Sequence, residues 1–161
     1  KNGKLYLIEF TTRLSGGDMS ESLGPLSNGI NYVRQAIKIA AKEKVQLKDL
    51  KPKYFKIISN KYFFLPQGKL EKIYGINKVN KIKGIHKIDF YYKLNSNIPK
   101  INSHGKRVGV FVVFGNKESQ VKKIIDYVYN TVKFKVSNRL YSGHPRTLRK
   151  KKLNFKTINL M

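Results

Sequence analysis

The stretch LIEFTTRLSGG, residues 7–17, sets one carboxylate, one guanidinium and a glycine pair in a fixed order. Glu9 stands near the end of an apolar run, Arg13 follows four residues later, and Ser15, Gly16 and Gly17 lead into a loop. Mg²⁺ prefers one or two carboxylates together with phosphate oxygens. A neighbouring arginine grips a transferring phosphoryl group, and a glycine-rich loop lets backbone N–H groups approach an anion. The order E-x-x-x-R-L-x-G-G therefore supplies the parts of a phosphate-handling site. The same residue types also allow a plainer arrangement, a salt bridge from Glu9 to Arg13 or to a nearby lysine. At the level of residue types both readings stay open.

The elements that would position these residues can be read from periodicity. Residues 4–10, KLYLIEF, read as a buried strand with Glu9 near its end. Residues 11–26 form a loop with three glycines and a proline. Ser27 or Asn28 can cap a helix running to about residue 42, with Ile30, Val33, Ile37 and Ala40 or Ala41 as its apolar face. Residues 54–76 read as a hairpin turning at PQGK. A short helix over 77–84 ends at Gly84, and strands follow near 85–93 and 106–114. A helix over 116–131 buries Val121, Ile124, Ile125 and Val128, and VKFKV, residues 132–136, alternates as a last strand. The fold class is α+β, with a mainly antiparallel sheet and two principal helices. The spacing places the folded domain in residues 1–136 and a basic C-terminal tail in 137–161.

Composition sets the outer bounds. The chain has 161 residues, 40% of them hydrophobic, enough for a domain with a core. The longest apolar run, VGVFVVFG, is strand-sized, so no membrane span is expected, and the first residues lack a charged region, apolar stretch and cleavage site in order, so no signal peptide is expected. With no cysteine, disulfides and thiolate metal sites are excluded, and a reducing cytoplasm is compatible. His86, His104 and His144 show no metal-ligand spacing. The net charge of +25 points to polyanions. The lysines are spread along a chain also rich in Asn and Ile, three residues that share A/T-rich codons, so codon usage competes as the cause. RTLRKKKLNFK, residues 146–156, is dense enough to attract phosphates.

Four segments carry a family resemblance. LIEFTTRLSGGDMS resembles the signature near the end of the ATP-grasp domain, and LGPLSNGINYVRQAIKIAAKE resembles the helix entry after it. FFLPQGKLEKIYGINKVNKIKGI looks like the C-terminal hairpin of carbamoyl-phosphate-synthase-like and amino-acid-ligase-like members. INSHGKRVGVFVVFGNKESQVKKIIDYV is similar to their closing strand and helix. Together they cover residues 4–136 in the family's order. The resemblance implies the C-terminal part of an ATP-grasp fold, with ATP and Mg²⁺ as cofactors. It also implies activation of a small-molecule carboxylate as an acyl phosphate, followed by attack of an amine or similar nucleophile.

By the same resemblance Glu9 ligates magnesium, Arg13 acts at the phosphates, and Ser15, Gly16 and Gly17 form the loop beside the reacting carboxylate. Thr11 stands where the family carries Asn, two residues after the glutamate, and its hydroxyl would be the other metal ligand. The family's upstream half, with its phosphate-gripping lysines and adenine pocket, does not fit before Glu9. The expected partner is therefore that N-terminal half.

Two other classes compete: a basic nucleic-acid-binding module using the 146–156 run, and a non-catalytic scaffold half. Elsewhere, Arg107 is expected to brace the turn that holds His104, and Asp18 and Glu21 to sit in a solvated loop. The aromatics of KYFFL, with Tyr91 and Tyr92, are expected in the sheet core.

Overall fold

The computed structural model describes residue 3 and residues 5–146. The chain divides into two compact units, Lys1–Phe55 and Lys56–Met161.

In the first unit, residues 5–10 do not form the expected strand. Leu5 is 101% and Ile8 98% exposed. The physical reason is the lack of a ladder. Among the described residues all strands begin at Ile57 or later, so within this unit the run has no neighbour to pair with. A π-helical turn, Met19–Leu23, and helix α1, Gly24–Asn28, follow in the stretch expected to be loop. Pro25 suits the first turn of α1, where its missing N–H costs nothing. Gly29, at φ 80°, ends α1 with its N–H on the Pro25 carbonyl at 2.7 Å. That left-handed residue cuts the single helix expected over 27–42. The chain restarts as α2, Tyr32–Ala40, where the Asn31 side chain accepts from the Arg34 N–H at 2.9 Å. Ile30 is buried, but in the link before α2, and Ile37 is 62% exposed instead of lying on a buried face.

The second unit holds two antiparallel sheets. The first has the order β1 (Ile57–Phe63), β5 (Gly109–Gly115), β3 (Ile85–Phe90). The second has the order β4 (Asn97–Ile98), β2 (Gly68–Tyr74), β6 (Lys133–Val136), β7 (Arg139–Tyr141). β1 and β2 are thus not a hairpin. β5 is apolar along its length and buried, so it takes a neighbour on each edge, β1 and β3. β2 shifts register between Leu70 and Lys72, so that Leu70 and Ile73 both face the core while Lys72 and Tyr74 are exposed, which suits a sheet with one open face. The chain passes between the sheets at residues 64–67, where Phe64 donates to the Gly143 carbonyl at 2.8 Å.

Short helix α3, Ile76–Val79, lies slightly ahead of its expected place, and α4, Glu118–Thr131, packs Val121, Ile124 and Val128 inward as the spacing requires. Phe63 is the hub of the core, with ring centroids 5.0 Å from Phe134, 5.1 Å from Phe111 and 5.7 Å from Phe90. The fold runs on past residue 136. Ser137 (φ 45°) and Asn138 (φ 63°) make a two-residue turn with both residues left-handed, and β7 pairs back on β6. Gly143 (φ 69°) then lies so close to Phe63 and Phe134 that a Cβ there would meet each ring at 2.8 Å. Apart from Arg146, the basic run 146–156 lies outside the described residues.

Candidate functional site

Thr11 and Arg13 are joined by a local bond, and the glycine loop after them is closed by bonds of its own. The Arg13 N–H donates to Thr11 Oγ1 at 3.4 Å, and Arg13 Nη1 donates to the Leu14 carbonyl at 3.2 Å. Ser20 Oγ donates to the Ser15 carbonyl at 2.9 Å, and the Met19 N–H to the Gly16 carbonyl at 3.3 Å, which closes the loop into the π-helical turn. Gly17 (φ 65°) and Asp18 (φ 69°) are consecutive left-handed residues. A Cβ at Gly16 or Gly17 would meet nothing within 4 Å, so the backbone there is open to a ligand. Glu9 is exposed, and among the described residues it forms no ion pair with Arg13 or with a lysine. The plainer reading of that acid, a salt bridge, is therefore not realised among these residues. No group of three or more His, Asp or Glu side chains that could hold a metal occurs among the described residues.

In the second unit, Arg107 braces its turn as expected: Nε donates to the His104 carbonyl at 2.7 Å, and the guanidinium lies 3.5 Å from the centre of the Tyr62 ring. Phe63 is core, but Tyr91 is 52% exposed, because it follows the end of β3. Residues not singled out by sequence reasoning also interact here. Tyr129 is buried and donates its hydroxyl to the Tyr62 carbonyl at 3.0 Å, and burial pushes its pKa far up. The His144 ring packs edge-on against Tyr129 at 4.5 Å, and burial, then the charge of Arg146, holds its pKa below the usual histidine value. Glu71 takes Lys135 at 2.8 Å and the Asn138 N–H at 2.9 Å, and these bonds hold its carboxyl below the usual range. The tight β6–β7 turn is what brings that N–H to Glu71, and its sequence, Ser-Asn, carries no glycine to announce it.

Residues 61–137 match the family model described as L-amino acid ligase C-terminal domain 2. Among solved structures, phosphoribosylglycinamide synthetase from Anaerococcus prevotii is similar at a TM-score of 0.71 and 23% identity, over 85% of this chain and 35% of that one. L-amino acid ligase from Bacillus licheniformis is similar at a TM-score of 0.67 and 18% identity, over 86% of this chain and 34% of that one. The α+β fold of this chain is thus shared with both of these structures. The chain spans about a third of the length of these two proteins. No curated protein matches it in sequence. Among the described residues no helix is long and apolar enough to cross a membrane.

Proposed function

We propose that this chain is the C-terminal portion of a cytoplasmic ATP-grasp ligase that joins a small-molecule carboxylate to an amine or similar nucleophile, and that it needs an N-terminal half to act. The observation that carries this reading is the match of residues 61–137 to an L-amino acid ligase domain. The E-x-x-x-R-L-x-G-G order ahead of that domain supports it. ATP with Mg²⁺ would supply the phosphoryl group that activates the carboxylate as an acyl phosphate.

The chain's own residues would do the rest. Glu9, open to solvent, would hold the metal together with the Thr11 hydroxyl. Arg13, whose backbone is tied to Thr11, would bring a fixed positive charge to the phosphates. Ser15, Gly16 and Gly17 would bring backbone N–H groups to the reacting carboxylate, and the open space at both glycines leaves room for it. Catalysis of phosphoryl transfer is mostly positioning and electrostatics, so one wall of such a site does little alone.

The test is ADP release with Mg²⁺, comparing this chain with the same chain joined to a nucleotide-binding half. The joined protein should turn over and the chain alone should not. In the joined protein Glu9→Gln should cut the rate by a factor on the order of 10². Turnover by the chain alone overturns the half-enzyme reading, and full activity of the variant overturns the role of Glu9. A joined protein that never turns over leaves the non-catalytic scaffold.

A further inference from the structure

We propose that the outward face of the sheet β4-β2-β6-β7 binds single-stranded nucleic acid, a role separate from the ligase reading. Leu70, Ile73, Phe134 and Val136 point from β2 and β6 into the core. The alternate positions face outward and carry Lys69, Lys72 and Tyr74 on β2, Lys133 and Lys135 on β6, and Leu140 on β7. The register sets Lys72 directly opposite Lys135, Tyr74 opposite Lys133, and Lys135 opposite Leu140. Like charges directly opposite each other on a sheet are destabilising. Glu71 is the only acid in these four strands, and it is committed to Lys135 at 2.8 Å. Of the other lysines, Lys133 Nζ donates to the Tyr129 carbonyl at 3.3 Å, Lys69 acts on Glu71 only through space, and Lys72 forms no salt bridge among the described residues. A bound polyanion would relieve that excess.

The apolar residues on the same face narrow the occupant. Tyr74 is 39% and Leu140 64% exposed, and Lys72 Nζ lies 5.2 Å from the Tyr74 ring centre. An acidic protein surface would satisfy the lysines and leave the ring uncovered. A single strand offers both partners in alternation, phosphates for lysines and flat bases for an aromatic ring. In sequence the run RTLRKKKLNFK follows β7 within a few residues and extends the positive charge.

The experiment is fluorescence anisotropy of a short labelled oligouridine titrated with the full chain over a salt series. Tyr74→Ala should weaken binding about tenfold and Tyr74→Phe should keep it, as stacking requires. Lys69→Ala with Lys72→Ala should reduce the log–log salt slope by about 0.7 for each lysine removed. Lys122→Ala with Lys123→Ala removes the same charge from exposed positions of α4 and should leave affinity within about twofold of the parent. An equal loss in the α4 variant would show that charge alone binds the strand and would overturn the site. So would unchanged binding by Tyr74→Ala, or a labelled polyglutamate binding as tightly as the RNA.

Discussion

Two apolar runs in this molecule have similar composition and opposite fates. LYLIEF, residues 5–10, is exposed along its length, while GVFVVFG in β5 is almost wholly buried. Both would score as strands on residue type. The difference is company: β5 is hydrogen-bonded to β1 on one edge and β3 on the other, and among the described residues of their own unit residues 5–10 find no strand. Apolarity makes a run eligible for a sheet, and a partner edge makes it a strand.

The sharpest way to break that comparison is to shave both runs. Phe111→Ala in β5 should cost about 3–5 kcal/mol, because the ring is fully buried between Phe63 and Tyr129. Ile8→Ala should change stability by less than about 0.5 kcal/mol. Urea melts of the two variants check both, and equal losses would show that residues 5–10 are packed after all. A second variant asks how far the packed region reaches. Gly143→Ala should cost about 1–3 kcal/mol, since a methyl group there meets two core rings and φ is positive. An unchanged melting temperature would place residue 143 outside the cooperative core.

The smallest effect concerns the charge pair across β2 and β6. The carboxyl of Glu71 is held below its ordinary value of 4.5 by Lys135 and the Asn138 N–H. Its contribution is therefore present above that value and is lost as pH falls through the lower, folded one. Melting temperature followed from pH 6 downward should fall more steeply in the parent than in Glu71→Gln. Parallel curves would mean that the pair does nothing for the fold.

What the sequence made legible was local. α4 and β6 lie within about two residues of their expected ends, because 3.6- and 2-residue spacing is written into adjacent positions. Partner choice was not legible. β1 and β2 sit on either side of a plausible turn, yet the demand of β5 for two neighbours sends them to different sheets. One backbone angle at Gly29 divided a helix whose side-chain pattern looked continuous. β7 was hidden because its turn uses Ser137 and Asn138 where glycine would have been the signal. At the candidate site, the contact between Arg13 and Thr11 joins residues two apart in the chain, whereas no group of three or more acids or histidines gathers around Glu9 among the described residues.

The uncovered run at residues 5–10 also bears on how this chain behaves in a test tube. Six consecutive residues, five of them apolar or aromatic and one charged, are a template for self-pairing. The net charge of +25 keeps copies apart at low ionic strength, but at 0.1 M salt that repulsion is screened beyond about 10 Å. Added salt, which usually quiets a basic protein by weakening its non-specific contacts, should here turn a clear solution cloudy, and a charged residue in place of Leu7 should keep it clear.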